Sequence, residues 1–197
     1  MEDHSKYQMD KEFTKLPDGL PQPMDDGASD HLLEMTIPKT VLQSTKDYAL
    51  DFSKICSRYK VLYFFPMIAI PGEHVPSSKW NDIPGARGCT PQNVSMSKHN
   101  DDLQRYDAAS IGISTQPINE LTKVSSLRKF LQPLVSDSNL EFQEKLNIPT
   151  FQFENKMMYK RLTLIVRESR IVKVFYPIFP PDKHIFEILE WLEKDSK

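Results

Sequence analysis

Tyr59-Lys-Val-Leu-Tyr-Phe-Phe-Pro66 is a short, almost continuous apolar and aromatic run that ends at a proline. Runs of this kind are typical of a strand in the middle of a sheet, where other elements cover both faces. Proline lacks the backbone N–H that a neighbouring strand would accept, so the strand is expected to end there. The sequence therefore predicts a central strand that leaves the sheet near Pro66.

The residues that follow alternate between helix and strand patterns. After a loop rich in Pro, Gly and Ser over 67–88, Thr90-Pro91 predicts a helix start, because threonine can cap a helix and proline is tolerated at its first position. This helix is expected to run to about Tyr106. The next predicted elements are a strand over 109–114, a helix with Leu121, Val124, Leu127 and Leu131 on one side, a short strand at 134–135 and a brief helix ending near Leu146.

The last third of the chain predicts a β-hairpin and a closing helix. Two apolar runs, 162–166 and 171–176, flank the polar Arg167-Glu-Ser-Arg170. A helix is expected after Pro180-Pro181, with Ile185, Ile188, Leu189 and Leu192 on one face. A β-α-β half followed by β-β-α is the thioredoxin order. We expect an α/β protein with a thioredoxin-like fold, in which helices flank a central mixed β-sheet.

The chain divides by composition near residue 31. Residues 1–31 are polar, contain three prolines and show no sustained apolar period, which predicts an extended or disordered N-terminal arm. Residues 32–197 contain the patterned elements and predict one domain.

Composition argues against several classes of partner. The formal net charge is −2, so no large single-sign field is available for nucleic acid, and the apolar runs are too short to span a membrane. The N-terminus resembles neither a secretory nor a mitochondrial leader, so we expect a cytoplasmic protein, with the nucleus as the alternative. The five histidines show no metal-ligand spacing and are expected at the surface, and we expect no metal and no cofactor.

Cys89 is the candidate nucleophile. It directly precedes the predicted helix, where the positive end of the helix and its free N–H groups would favour a thiolate. Arg87 could add to this effect, while Gly85 and Gly88 would let the loop turn tightly after Pro84. The alternative is that Cys89 is an ordinary small buried side chain, the commoner role of a lone cysteine. Trp80, in the segment leading to Pro84, could shield the sulfur as part of a pocket wall or lid, or simply pack.

Several stretches together resemble the peroxiredoxin superfamily. The strand end at Pro66 and the run Pro84-Gly-Ala-Arg-Gly-Cys-Thr-Pro-Gln92 are similar to the redoxin-domain branch that contains the bacterioferritin-comigratory type, and to its alkyl hydroperoxide reductase and thiol-specific antioxidant relatives. The similarity continues in Ile111-Gly-Ile-Ser-Thr115, in Leu134-Val-Ser-Asp137 and in Arg161-Leu-Thr-Leu-Ile-Val166.

The resemblance implies a thiol-dependent peroxidase that reduces hydrogen peroxide or small organic hydroperoxides. Cys89 would be the peroxidatic cysteine, Arg161 its electrostatic support and Thr90 the helix cap, beside a pocket that includes Pro84, Gly85, Arg87, Gly88 and Trp80. The alternative for Arg161 is a solvated side chain at a strand edge. The implied partners are a peroxide and a thiol reductant, namely glutathione, glutaredoxin or thioredoxin, and the resemblance allows a homodimer.

Two positions depart from the family pattern. Ala86 stands where relatives carry a Thr or Ser whose hydroxyl binds the peroxide, and Val94 stands where many carry a resolving cysteine. Cys56 lies before the predicted central strand, whereas Cys89 lies beyond its far end, so we expect Cys56 to be structural and Cys89 to follow a one-cysteine cycle with an external thiol. A slow or non-catalytic redox sensor is the alternative. A thiol:disulfide reductase is disfavoured because Cys-x-x-Cys is missing.

Overall fold

The computed structural model describes residues 15–71 and 78–197, which form a seven-stranded mixed sheet with helices on both faces and a separate two-stranded hairpin. The sheet has the order β2-β1-β5-β4-β3-β8-β9. The strands are β1 Val41–Ser44, β2 Leu50–Asp51, β3 Tyr59–Phe64, β4 Ala108–Ser114, β5 Leu134–Ser136, β6 Thr150–Phe153, β7 Lys156–Tyr159, β8 Leu162–Arg167 and β9 Arg170–Phe175. The α-helices are α1 Cys89–Lys98, α2 Asn100–Gln104, α3 Ile118–Arg128, α4 Glu141–Leu146 and α5 His184–Asp195.

Strand β3 occupies the interior position that its sequence predicts. It pairs in parallel with β4 on one side and antiparallel with β8 on the other, and all six of its residues are buried. Since alternate residues of a strand point to opposite faces, β3 contributes to two cores. Tyr59, Val61 and Tyr63 pack on the face covered by α1, α3 and α5, whereas Leu62 and Phe64 pack on the face covered by α4.

The predicted strand and helix order is confirmed along most of the chain, with three differences. The helix predicted from Thr90 to Tyr106 is divided into α1 and α2. Helix α3 ends at Arg128, and its apolar side is shorter than predicted, because Leu127 and Leu131 are exposed while Leu121 and Val124 are buried. The hairpins β1–β2 and β6–β7 were not expected, since β2 has only two residues and the turn of β6–β7 depends on a left-handed residue, Glu154.

Residues 15–29 contain no helix or strand and lie along the domain, and a short 3-10 helix, Asp30–Leu32, follows them. Leu20 and Leu32 are buried. Residues 1–14 of the predicted arm lie outside the described residues. Across the described ranges, no helix is long and apolar enough to cross a membrane.

A buried hydrogen-bond network joins α1 to the middle of the sheet. The Tyr63 hydroxyl donates to Asn93 Oδ1 at 2.8 Å and accepts from Gln132 Nε2 at 3.1 Å. Asn93 Nδ2 donates to the carbonyl of Cys89 at 2.9 Å, and Gln132 Nε2 also reaches the carbonyl of Asn93 at 3.0 Å. Burial raises the pKa of Tyr63, so its hydroxyl remains a donor. The start of α1 is thereby fixed to β3.

Removing this hydroxyl is expected to destabilise the fold. Tyr63→Phe leaves the buried amides of Asn93 and Gln132 without one partner each, which should lower the free energy of unfolding by about 1–3 kcal/mol. Urea unfolding measures the change. Tyr48→Phe removes a hydroxyl from an exposed ring and should leave the midpoint unchanged. Equal midpoints for the Tyr63→Phe and Tyr48→Phe proteins would contradict the role given to the network.

Candidate active site

Helix α1 begins at Cys89, and a glycine makes this start possible. Gly88 precedes the helix with φ 102°, in the left-handed region that glycine adopts without steric cost. A Cβ at this position would lie 2.4 Å from Pro181 Cγ and 2.8 Å from Leu16 Cδ2. The site therefore requires glycine both for backbone conformation and for space.

The prediction that Thr90 caps the helix is wrong. The left-handed turn at Gly88 starts the helix earlier, so Gly88 occupies the cap position and Thr90 lies within the first turn, where it is buried. The first helical hydrogen bond runs from the Gln92 N–H to the Gly88 carbonyl at 3.0 Å. Pro91 is tolerated because an N–H in the first turn has no partner within the helix.

Arg161 contacts the sulfur directly. Its Nη2 lies 3.1 Å from Cys89 Sγ, and only 3% of Cys89 and 4% of Arg161 are exposed. Arg161 directly precedes β8, the neighbour of β3, as the resemblance to the family implied. A permanently charged guanidinium and a helix N-terminus thus both face the sulfur, and both stabilise a thiolate.

The same guanidinium also holds the active-site loop. Nη2 lies within hydrogen-bond distance of the carbonyls of Gly85 at 3.3 Å, Ala86 at 3.4 Å and Arg87 at 3.1 Å. Nη2 carries only two hydrogens, so these contacts and the one to Cys89 share them. The Cys89 thiol in turn reaches the Ala86 carbonyl at 3.7 Å.

Gln92 is a site residue to which sequence reasoning assigned no role. Its side chain is fully buried, and its Oε1 accepts a short hydrogen bond from Arg161 Nη1. Its place in the Cys89-Thr-Pro-Gln92 motif was visible in the sequence. The signal that could have found it is a glutamine one helical turn after the cysteine, where i and i+3 side chains share a face.

Arg87 lies beside the site, with its side chain turned to the loop. Its Nε donates a short hydrogen bond to Asn81 Oδ1. Burial lowers the pKa of Arg87, and the nearby Cys89 charge opposes that shift. Through its carbonyl, Arg87 also accepts from Arg161.

A cavity of about 370 Å³ opens next to Arg161. Its wall is mainly apolar. The cavity lies between residues 23–26 of the N-terminal segment, residues 83–85 of the active-site loop and residues 176–177, which follow β9. It is lined by Pro23, Met24, Asp25, Asp26, Ile83, Pro84, Gly85, Phe151, Lys160, Arg161, Tyr176 and Pro177.

Only some of the pocket residues expected from the sequence line this cavity. Pro84 and Gly85 do, whereas Arg87, Gly88 and Trp80 do not. Trp80 is buried and packs edge-on against Phe153, with ring centroids 5.0 Å apart. Trp80 therefore supports the active-site loop by packing, which was one of its two alternatives.

An ion pair anchors the N-terminal segment at the cavity mouth. Asp26 accepts from Lys160 Nζ at 2.5 Å and from the Tyr176 hydroxyl at 2.7 Å. The hydrogen bonds from Lys160 and Tyr176 lower the pKa of Asp26 to about 2. A depressed carboxyl pKa stabilises the fold above the ordinary value of 3.8, and this contribution is lost as the pH falls through about 2.

The expectation that the histidines lie at the surface is wrong for His184. It is buried at the start of α5, with Nε2 3.0 Å from Thr163 Oγ1 and Nδ1 2.9 Å from Glu187 Oε2. Burial lowers the pKa of His184, Glu187 opposes the shift and Arg161 adds to it. The apolar neighbours of α5 hid this position, because a histidine before Ile185 is not distinguishable from a surface residue by sequence alone.

Cys56 is also placed differently from the expectation. It is exposed, so it has no buried packing role, and its thiol donates to the Lys54 carbonyl at 3.4 Å. It precedes β3, while Cys89 follows the opposite end of that strand. Six residues of strand at roughly 3.3 Å each separate the two ends, far more than a disulfide allows.

Known proteins share this architecture. The Redoxin family model matches residues 33–189. A curated Mycobacterium tuberculosis protein, named provisionally as a peroxiredoxin, is 24% identical over 133 residues, which cover 67% of this chain and 76% of that protein.

Solved structures confirm the thioredoxin-like fold. Peroxidoxin BcpB from Mycobacterium tuberculosis is 22% identical, with a TM-score of 0.66 over 82% of this chain and 96% of that chain. A mutant of PrxQ from Xylella fastidiosa is 18% identical, with a TM-score of 0.66 over 84% and 97% of the two chains. The Redoxin match covers well over half of the 197 residues. The chain therefore belongs to the Redoxin family, within the peroxiredoxin superfamily of thiol peroxidases.

Proposed function

We propose that Cys89 is the peroxidatic cysteine of this thiol peroxidase and that an external thiol reduces it in a one-cysteine cycle. The observation that carries the proposal is the 3.1 Å contact between Arg161 Nη2 and Cys89 Sγ at the start of α1. A buried guanidinium needs acceptors or an opposite charge around it, and a Cys89 thiolate would supply that charge. The pair is therefore suited to a nucleophilic thiolate.

The reaction is a two-electron transfer to the peroxide. The Cys89 thiolate attacks one peroxide oxygen, the S–O bond forms as the O–O bond breaks, and the departing oxygen takes a proton and leaves as water or an alcohol. Cys89 is oxidised to a sulfenic acid and the peroxide is reduced. A first external thiol then forms a mixed disulfide and releases water, and a second thiol regenerates the Cys89 thiol as an external disulfide departs.

Arg161 stabilises both ends of this step. Its charge favours the thiolate before attack and the negative charge that develops on the peroxide oxygens during attack. Because its guanidinium is also bonded to Gln92 and to the loop carbonyls, it needs little reorganisation as the reaction proceeds.

The arrangement of the cysteines supports an external reductant. The chain contains two cysteines, and Cys56 lies at the far end of β3. Val94, the position at which relatives carry a resolving cysteine, lies in α1 one turn beyond the active-site motif. Glutathione, glutaredoxin or thioredoxin is the proposed electron donor.

The cavity supports organic hydroperoxides as substrates beside hydrogen peroxide. Arg161 both contacts the sulfur and lines the cavity, so a hydroperoxide held at Cys89 can extend its organic group toward Met24, Ile83 and Phe151. A cavity of about 370 Å³ is large enough for a small aryl or alkyl group.

Replacing either cysteine separates the one-cysteine cycle from its alternatives. Cys89→Ser should abolish thiol-dependent consumption of peroxide, because an alcohol does not form the required nucleophile. Cys56→Ser should retain the activity. Turnover is measured with each proposed thiol donor. Unchanged turnover in Cys89→Ser would refute the proposal, and loss of turnover in Cys56→Ser would refute the one-cysteine cycle.

Arg161→Lys tests the guanidinium. Lysine keeps the charge, but its single ammonium group does not reproduce the contacts that two guanidinium nitrogens make with Gln92 and with the sulfur. The rate of Cys89 oxidation should therefore fall by about 100-fold. Stopped-flow oxidation by hydrogen peroxide measures it, and urea unfolding confirms that the variant is folded. Arg105→Lys, at an exposed position, is the matched control. Equal rates in both variants would exclude Arg161 from the chemistry.

Asp26→Ala tests the cavity wall. Loss of the bonds to Lys160 and Tyr176 should loosen the N-terminal segment and lower the rate with cumene hydroperoxide about tenfold, while the rate with hydrogen peroxide changes little. Asp18→Ala, at an exposed position in the same segment, is the control. If both peroxides respond equally to Asp26→Ala, the segment does not bind the organic group.

A further inference from the structure

Only one of the two polar atoms of the Gln92 amide has a hydrogen-bond partner among the described residues. Oε1 accepts from Arg161 Nη1, whereas Nε2 is buried and has no hydrogen-bond partner among the described residues. Native structures seldom leave a buried donor unpaired, so such an atom calls for an explanation. Arg161 Nε is a second buried donor of this kind in the same pair of side chains.

The orientation of the amide follows from the chemistry of arginine. A guanidinium has donors only, so the amide oxygen must face Arg161 and the NH2 group must face away from Nη1. Exchanging the two atoms would bring two donors together. The unpartnered N–H of Gln92 is therefore fixed by Arg161.

This donor belongs to a side chain on the same helix face as the reacting sulfur. Gln92 is three residues after Cys89 in α1, and i and i+3 side chains share a helix face. The two terminal nitrogens of one guanidinium contact the two residues separately, Nη1 with Gln92 and Nη2 with Cys89. The side chain at position 86 of the loop is only a methyl group, and the Ala86 carbonyl lies 3.7 Å from the sulfur.

We propose that Gln92 is a catalytic residue whose Nε2 donates a hydrogen bond to a peroxide oxygen during attack by Cys89. This inference rests on the proposed function. As the S–O bond forms and the O–O bond breaks, negative charge develops on the departing oxygen, and an N–H donor already in place stabilises it. Gln92 then supplies the polar contact that the Ala86 methyl cannot.

The experiment compares two reactions of Cys89 in a Cys56→Ser background. Peroxide oxidation requires a donor to oxygen, whereas alkylation by iodoacetamide reports the thiolate and its accessibility without a peroxide. Gln92→Glu keeps an oxygen for Arg161 and removes the N–H donor. Gln92→Met removes both the oxygen and the donor and keeps a side chain of similar length. Gln104→Met, at an exposed site in α2, is the matched control.

The expected result is that the ratio of the peroxide rate to the alkylation rate falls by about 100-fold in both Gln92 variants and stays constant in Gln104→Met. A fall of both rates by the same factor would show that Gln92 only positions Arg161 and Cys89, and would overturn the inference. If both rates stay at the values of the unsubstituted protein, the inference is overturned as well. If the unmodified active site does not react with peroxide at all, the proposed function itself fails, and the inference fails with it.

Discussion

The guanidinium of Arg161 is the group on which the geometry of the site depends. Arg161 directly precedes β8, the neighbour of β3, and its guanidinium contacts the sulfur of Cys89, the amide of Gln92 and the carbonyls of residues 85–87. Because a guanidinium only donates, each group that is hydrogen-bonded to it presents an acceptor. One buried cation thus fixes the path of the loop, the orientation of an amide and the position of the sulfur.

A second hydrogen-bond network, which starts from β3, also holds the beginning of α1. Tyr63 in β3 and Gln132 hold Asn93, and Asn93 binds the carbonyl of Cys89. The start of α1 is therefore fixed to two adjacent strands, to β3 by this network and to β8 through Arg161. Cys89 is thus held at its carbonyl by Asn93 and at its sulfur by Arg161. A nucleophile held in this way is preorganised, which lowers the reorganisation needed in the transition state.

The sequence predicted the features that depend on local patterns and on family motifs. The apolar run of β3 predicted the central strand, and the Cys89 motif placed the candidate nucleophile at a helix start. The error at Thr90 arose because a capping threonine is recognisable by type, whereas the left-handed backbone of Gly88 is a property of the folded loop. The Nε2 of Gln92, which has no hydrogen-bond partner among the described residues, and the burial of His184 depend on elements distant in sequence, so only the structure could reveal them.

We propose that the setting of Cys89, and not the thiol alone, makes it reactive. The most direct measurement is competition between the two cysteines of one molecule, in which substoichiometric peroxide is added and mass spectrometry locates the trapped sulfenic acid. We expect oxidation at the buried Cys89 and little at Cys56, although Cys56 is the more exposed of the two. Oxidation at Cys56 as fast as at Cys89, or faster, would contradict it.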